Sequence, residues 1–167
     1  MKVLVTAASK HGATSEIALA IAAAIRDEGL DVTVLEPDAV ESVERYDGVV
    51  IGSGVYAGHW LEPAKRLVGR EAQALLARSV WLFSSGPLGV DAKPATVPVD
   101  VAPLSDKVRA RGHRIFAGSL ERDGLGLGER AIIRVVKAPY GDFRDWPGIT
   151  SWAREIAAKL KTAPAAV

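Results

Sequence analysis

Thr6-Ala7-Ala8-Ser9-Lys10-His11-Gly12-Ala13-Thr14-Ser15-Glu16 is the most informative stretch of this chain. It joins the apolar run Val3-Leu4-Val5 to a long helical pattern, so a strand turns into a helix here. A helix N-terminus carries N–H groups without intrahelical acceptors and the positive end of the helix dipole, a combination that attracts phosphate. Ser9 and Thr14 add hydroxyl donors, and Gly12 lets the backbone approach an anion closely. The stretch therefore predicts a phosphate site.

The same residue types also suit an ordinary strand-to-helix turn, in which a serine or threonine caps the helix. Two other phosphate motifs are excluded. No Lys-Ser/Thr pair follows Gly12, as the loop of nucleoside triphosphatases requires, and the glycine triplet of the dinucleotide fingerprint is missing. A capped turn and a phosphate site of another class both stay open.

Composition narrows the functional classes. The chain has 167 residues, of which 49% are hydrophobic and 25% charged, as in a globular domain. Its net charge of +1 provides no strong field, and no nucleic-acid partner is expected. The absence of cysteine excludes disulfides, thiol catalysis and cysteine-ligated iron–sulfur clusters. The first apolar run is too short for a signal peptide and no run approaches the ~18 residues of a membrane span, so we expect a cytoplasmic protein.

Apolar runs alternate with helical patterns along the chain, which predicts an α/β fold with a doubly wound parallel sheet and helices on both faces. Five strands suit the order 2-1-3-4-5, which binds ligands where the order reverses, at the carboxyl ends of the strands. The predicted strands cover residues 3–6, 32–35, 48–53, 80–85 and 114–119. The predicted helices cover residues 13–28, 62–76, 101–111 and 148–161, with at most one helical turn in the connection 37–45.

Two segments interrupt the alternation. Residues 86–98 are rich in glycine and proline, and residues 121–146 separate the fifth strand from the terminal helix. Within the second segment, 129–137 could form a short helix. Both are too short to be domains, so we expect one domain over 1–161 and a disordered tail over 162–167.

Two further loops are expected at the same edge of the sheet as the first. The loop after the third strand has glycines beside an aromatic residue, which suits a flat ring, and comprises Ser53, Gly54, Val55, Tyr56, Ala57 and Gly58. Behind it, Trp60 is expected to pack onto the following helix, and His59 could be a proton donor, an anion contact or a helix cap. The loop after the fourth strand, either a plain turn or the other border of the crevice, comprises Ser84, Ser85, Gly86, Pro87 and Leu88.

The sequence gives little support for a metal site or for a serine nucleophile. The histidines at 11, 59 and 113 lie on different segments without metal-ligand spacing, so no metal site is expected. Ser53 lies between two glycines, but the spacing of a nucleophile elbow is missing.

The strand followed by Ser9-Lys10-His11-Gly12-Ala13-Thr14 and a helix resembles the FMN phosphate loop of flavodoxins, which has the pattern Ser/Thr-x-x-Gly-x-Thr. The whole chain is similar to the flavodoxin-like branch that contains menaquinone-dependent protoporphyrinogen oxidases. That branch has a Gly-His step after the third strand, here Gly58-His59, and Asp145-Trp146 before the terminal helix resembles it as well.

This resemblance implies an FMN-binding oxidoreductase in which the flavin performs the electron chemistry and no catalytic side-chain acid or base is needed. It implies that the first loop surrounds the phosphate through Ser9, Lys10, His11, Gly12, Ala13 and Thr14. It places the ring between Ser53, Gly54, Val55, Tyr56, Ala57 and Gly58 on one side and Ser84, Ser85, Gly86, Pro87 and Leu88 on the other. The implied partner is a redox protein or a quinone- or porphyrin-type substrate, with peripheral membrane contact as a further expectation. The alternatives are a non-enzymatic electron carrier and a flavin-free binding module with the same fold.

Overall fold

A parallel sheet forms the centre of the protein in the computed structural model, which describes residues 1–86, 97–120 and 141–162. The strands of this sheet are β1 (Lys2–Ala8), β2 (Asp31–Leu35), β3 (Gly48–Tyr56), β4 (His59–Trp60), β5 (Ser79–Ser85) and β6 (His113–Phe116). The helices are α1 (Ala13–Asp27), α2 (Glu62–Arg70), α3 (Ala72–Leu76), α4 (Val101–Val108) and α5 (Trp146–Thr162), with one 3₁₀ turn at Pro37–Ala39.

The parallel strands lie in the order β2-β1-β3-β5-β6, which is the predicted order when the five parallel strands alone are counted. The prediction lacked a sixth strand. β4 pairs antiparallel with β3 and lies off the main path. Sequence periodicity missed β4 because two residues are too few to show an alternation.

Helices cover both faces of the sheet, as predicted, and the central strands are buried on both sides. On β5, Trp81 and Phe83 pack in the cluster that contains α1 and α5. Val80 and Leu82 pack on the opposite face, in the cluster that contains residues of α2, α3 and α4. Continuous apolar sequence is what a parallel strand between two helical layers requires.

Several predicted boundaries need correction. The predicted helix 62–76 is divided at Glu71 into α2 and α3. The predicted helix 101–111 ends at Val108, because Arg109 adopts a left-handed φ of 50° without a glycine to signal the stop. β3 continues to Tyr56, so half of the predicted second loop is strand. The terminal helix is longer than predicted and includes Thr162, which had been assigned to the tail.

The predicted fifth strand is also shorter than expected, because β6 ends at Phe116. Ser119 belongs to a separate antiparallel ladder between β7 (Ser119–Leu120) and β8 (Gly141–Asp142). The predicted helix 129–137 and residues 163–167 of the predicted tail lie outside the described residues.

The register of the sheet sets the place of the site. Ala8 of β1 pairs with Ser53 of β3, and Ser53 pairs with Ser84 of β5. β1 therefore ends level with Ser53 and Ser84, close to the carboxyl ends of the central strands, and β3 continues beyond that level to Tyr56. In a sheet of this topology that edge is where ligands bind.

Candidate functional site

The first loop opens α1 with a glycine. Gly12 has a left-handed φ of 89°, and a methyl group built on it would meet no atom within 4 Å. Its N–H donates to Ser9 Oγ at 3.0 Å, and its carbonyl accepts the first helical hydrogen bond, from the N–H of Glu16, at 3.0 Å. No side chain caps the helix at Gly12. The first turn of α1 therefore has no side-chain acceptor from its N-cap residue, and a helix N-terminus of this kind can bind an anion.

The second loop is a β-hairpin. Tyr56 of β3 pairs with His59 of β4, and Ala57 and Gly58 form the two-residue turn between them. Both turn residues have a left-handed φ, 49° and 81°, as a type I′ hairpin turn requires. Ala57 is an unusual residue at such a position, so the sequence carried no Asn-Gly signal for this hairpin. The turn leaves the Tyr56 side chain 39% exposed beside the first loop.

The first and second loops are in contact. Lys10 Nζ lies 5.3 Å from the centroid of the Tyr56 ring, and the rings of His11 and Tyr56 lie 6.4 Å apart, tilted by 52°. Below them, a methyl group built on Gly54 would lie 3.1 Å from Thr14 Oγ1, which is tighter than an ordinary contact. Glycine at 54 therefore lets α1 approach β3 and brings the predicted phosphate and ring residues to one place.

The predicted serines of the second and third loops are not at the surface of the crevice. Ser53 is fully buried; its hydroxyl donates to the carbonyl of Gly54 at 2.8 Å and accepts the N–H of Leu61 at 2.9 Å. Ser84 is also fully buried, and its hydroxyl accepts the indole N–H of Trp60 at 2.8 Å. Both serines brace the hairpin from beneath.

The third loop is described only at its start. Ser85 is 6% exposed, and the N–H of Gly86 donates to the carbonyl of Phe116 at 3.0 Å. Gly86 has a left-handed φ of 114°, so the chain turns sharply after β5. Pro87 and Leu88 lie outside the described residues.

Asp100, which precedes α4, is a contributor that the sequence did not reveal. Its carboxylate accepts the backbone N–H of Trp60 at 2.8 Å and lies 3.2 Å from Nδ1 of His59. Of the three roles considered for His59, the cap is not seen, because α2 has no side-chain cap, and the imidazole instead contacts the carboxylate of Asp100. Trp60 is only 2% exposed and lies in the buried cluster that contains Ala64, Leu67 and Val68 of α2, the following helix onto which it was expected to pack.

His113, at the start of β6, completes this group of side chains. Its Nε2 lies 2.8 Å from Ser84 Oγ, and burial lowers the pKa of the imidazole below its ordinary value. A hydrogen-bonded series therefore runs from His113 through Ser84 to the indole of Trp60.

Arg144, between β8 and α5, is a second contributor that the sequence did not reveal. Its guanidinium binds both oxygens of Asp142 at 2.7 and 2.8 Å, reaches Glu16 of α1, and donates to the carbonyl of Ala13 at 3.3 Å. The hydrogen bond from Arg144 lowers the pKa of Asp142, and the bond to Asp142 raises the pKa of Arg144. Its plane also stacks on Trp146 at 4.5 Å. Arg144 thus ties the β7–β8 ladder to the first turn of α1.

Sequence comparison identifies the family of this chain. A model of the flavodoxin domain family matches residues 4–146. The chain belongs to the flavodoxin family. Membership implies a flavin cofactor, usually FMN, and the uncapped start of α1 with open space at Gly12 fits its phosphate.

Relatives of this flavodoxin-family chain include both enzymes and flavodoxins. Protoporphyrinogen IX dehydrogenase [quinone] of Escherichia coli (strain K12) is 23% identical, with 94% of this chain and 95% of the relative covered. A flavodoxin from the domain Archaea superposes with a TM-score of 0.66 at 17% identity, covering 96% of this chain and 99% of that one. The flavodoxin of Streptococcus pneumonia TIGR4 gives a TM-score of 0.63 at 19% identity, covering 95% and 99%. These superpositions confirm the flavodoxin-like fold.

Among residues 1–86, 97–120 and 141–162, no group of histidine and carboxylate side chains has the arrangement of a metal site. In the same ranges, every helix is too short or too polar to cross a membrane.

Proposed function

We propose that this chain binds FMN at the carboxyl edge of β1 and β3 and works as a flavin-dependent oxidoreductase. The observation that carries the proposal is the meeting of two loops. The uncapped first turn of α1 opens beside Gly12, and the partly exposed ring of Tyr56 lies against the same loop. An anion-binding helix end next to a stacking aromatic suits a phosphate ester that carries a flat ring.

Each group of residues has a separate role in this proposal. The N–H groups of the first turn and the hydroxyls of Ser9 and Thr14 hold the phosphate, and the Lys10 ammonium adds charge complementarity. Tyr56 provides one wall for the ring, and the hairpin turn at Ala57–Gly58 presents backbone groups to its edge. Gly86 and its neighbours begin the other wall. When bound, FMN supplies reversible electron chemistry, while the chain binds it, orients it and limits its exposure to water.

The proposed substrates are a porphyrinogen-type donor and a quinone acceptor. The support is the match to protoporphyrinogen IX dehydrogenase [quinone], which extends over nearly the full length of both chains. In the proposed reaction, two electrons and two protons leave the donor for each quinone reduced to quinol. The near-zero net charge of +1 agrees better with a small-molecule acceptor than with electrostatic steering toward a basic redox protein.

Two measurements test the proposal. The purified protein should show flavin absorbance, and the released cofactor should be FMN; a colourless protein that binds no added flavin would identify a binding module instead. Under anaerobic conditions, protoporphyrinogen IX should bleach the flavin absorbance and a menaquinone analogue should restore it. An electron carrier would exchange electrons with reduced proteins but would leave protoporphyrinogen unoxidised.

The phosphate contact can be tested with Thr14→Val. Thr14 is 5% exposed at the second position of α1, and the variant keeps its shape while removing its hydroxyl. We expect FMN affinity to fall about tenfold, since a hydrogen bond to a charged group contributes roughly 1.5–3 kcal/mol. Titration of the apoprotein with FMN and with riboflavin measures the effect. Riboflavin, which lacks the phosphate, should bind both proteins alike, and Thr33→Val on the edge strand β2 should change neither affinity. Equal losses for the two ligands would contradict the phosphate role.

A further inference from the structure

We propose that His113 is a positioning residue for the flavin site, acting through Ser84 and Trp60 on the hairpin that carries Tyr56, and that protonation of its imidazole displaces this hairpin. The inference rests on the proposed function in so far as FMN is the ligand of that hairpin. Each member of the series from His113 through Ser84 to Trp60 can donate or accept hydrogen bonds only in certain ways.

The indole of Trp60 fixes the direction of the series. Its Nε1 carries a hydrogen and has no lone pair to accept with, so in the 2.8 Å contact Trp60 donates and Ser84 Oγ accepts. The hydroxyl hydrogen of Ser84 then needs an acceptor. Neutral His113 provides one at Nε2, 2.8 Å away. With the hydrogen of neutral His113 on Nδ1, the indole N–H of Trp60 and the hydroxyl of Ser84 each have an acceptor.

Protonation of His113 disturbs this arrangement of donors and acceptors. Its Nε2 then carries a hydrogen directed at Ser84 Oγ, so the hydroxyl must accept from both neighbours and its own hydrogen loses its acceptor. Ser84 is fully buried, and within residues 1–86, 97–120 and 141–162 the partners of its hydroxyl are Trp60 and His113, so burial keeps bulk water from taking the place of that acceptor. An unsatisfied buried donor is unfavourable, and the strain is relieved when Trp60 and the hairpin move.

The hairpin transmits this movement to the proposed ring site. Trp60 lies on β4, where its neighbour His59 pairs with Tyr56 across the two-residue turn. Three of the contacts that hold this hairpin are Ser84 at the indole, Asp100 at the backbone of Trp60, and Ser53 at the N–H of Leu61. The N–H of Val99 also donates to the carbonyl of Gly58 in the turn, at 3.2 Å. Ser84 is the one of the three that changes its hydrogen-bond direction with the charge of His113.

The surrounding charges are consistent with this role. On the described elements near His113, the charged groups are Arg111 and Arg114 in the same segment, Asp106 and Lys107 on α4, Asp100 before α4, His59 on β4 and Lys65 on α2. None of these charges shifts the imidazole; burial alone lowers the pKa of His113 from its ordinary 6.5. The folded protein therefore prefers the neutral form, and the contribution of His113 to stability is complete above about pH 6.5 and is lost as the pH falls through that value toward the lower folded pKa.

The test uses ¹⁵N-labelled protein and needs no bound flavin. Between about pH 7.5 and about pH 5, the His113 imidazole and the Trp60 indole N–H resonances should titrate with one common midpoint below 6.5. In His113→Gln, whose amide oxygen accepts from Ser84 but does not titrate, the indole resonance should stay still. In Ser84→Ala, the His113 imidazole resonance should titrate while the Trp60 indole N–H resonance stays constant. An indole resonance that is indifferent to His113 in the unmodified protein, or that still moves in His113→Gln, would overturn the inference.

FMN affinity provides a second measurement. Because the phosphate of FMN also titrates in this range, the comparison is between the unmodified protein and His113→Gln at each pH. On acidification, the unmodified protein should lose about tenfold more affinity than His113→Gln, the size expected for one lost hydrogen bond. Equal pH profiles would overturn the link to the flavin site. Failure of both proteins to bind FMN at any pH would overturn the proposed function, while the indole titration would still decide whether His113 controls the hairpin.

Discussion

Gly52→Ala is expected to lower the free energy of unfolding by about 3 kcal/mol, near the upper end of the range for overpacked cores. Gly52 lies in β3 directly opposite Phe83 of β5. A methyl group built on Gly52 would lie 2.1 Å from Cζ of Phe83, far inside contact distance. The ring has little room to withdraw, because Phe116 and Trp152 pack against it with ring centroids 6.1 and 6.3 Å away. Urea-induced unfolding followed by circular dichroism measures the loss.

A second glycine provides the control for this experiment. Gly69 lies in α2, and a methyl group built there would meet no atom within 4 Å. Gly69→Ala should therefore stabilise the protein by roughly 0.5–1 kcal/mol, because alanine loses less backbone entropy in a helix. In the Gly52→Ala background, Phe83→Leu should recover part of the lost stability by making room. If Gly52→Ala were as stable as the unmodified chain, the close packing of β3 against Phe83 would be wrong.

Arg144→Met is expected to cost roughly 2–3 kcal/mol, since it removes charge-assisted hydrogen bonds while preserving the packing of a long side chain. The Arg144 side chain is only 7% exposed, whereas its partners Glu16 and Asp142 are 59% and 44% exposed. Water can solvate the two carboxylates after the substitution, which keeps the loss below that of a fully buried pair. Because Arg144 also contacts the carbonyl of Ala13, we expect FMN binding to weaken several-fold in addition.

The pH dependence of this variant has a defined sign. Arg144 lowers the pKa of Asp142 from its ordinary 3.8, so the pair contributes stability above that value and loses it as the pH falls through the lower folded pKa. The stability gap between the unmodified protein and Arg144→Met should therefore be widest near neutral pH and should narrow in acid. Urea titrations of both proteins near neutral pH and in acid measure this difference in stability. Arg154→Met, at an exposed position of α5, should change stability by no more than about 0.5 kcal/mol. A gap that is constant with pH would contradict the charge pairing.

The parallel core was predictable because its signal is repeated in many residues. The apolar stretch from Val49 to Ile51 and the helical spacing of Ile17, Ile21 and Ile25 each report burial several times over, so the parallel sheet with helices on both faces followed from the alternation. Boundaries were less predictable where single backbone conformations set them. The left-handed φ of Ala57 and of Arg109 has no side-chain signature, so the hairpin and the end of α4 were missed.

In the candidate site too, the features encoded in one local stretch were predictable, and the features set by tertiary contacts were not. Ser9, Gly12 and Thr14 are close in sequence and lie in one local motif, so their common location could be read from the chain. Asp100, His113 and Arg144 reach the site from distant segments through tertiary contacts, and no local pattern announced them. Ser53 and Ser84 were located correctly along the chain, but their inward orientation depends on which face of the sheet each strand residue occupies.

The β7–β8 ladder allows one part of the chain to vary independently of the rest. Ser119 pairs with Asp142 and Leu120 with Gly141, so the twenty residues between 120 and 141 depart from and return to adjacent points. Lengthening or shortening that segment does not alter the span that β6 and α5 must bridge, and the cost of closing a longer loop rises only slowly with length. A change in the length of this segment therefore leaves the groups around Gly12 and Tyr56 in their positions.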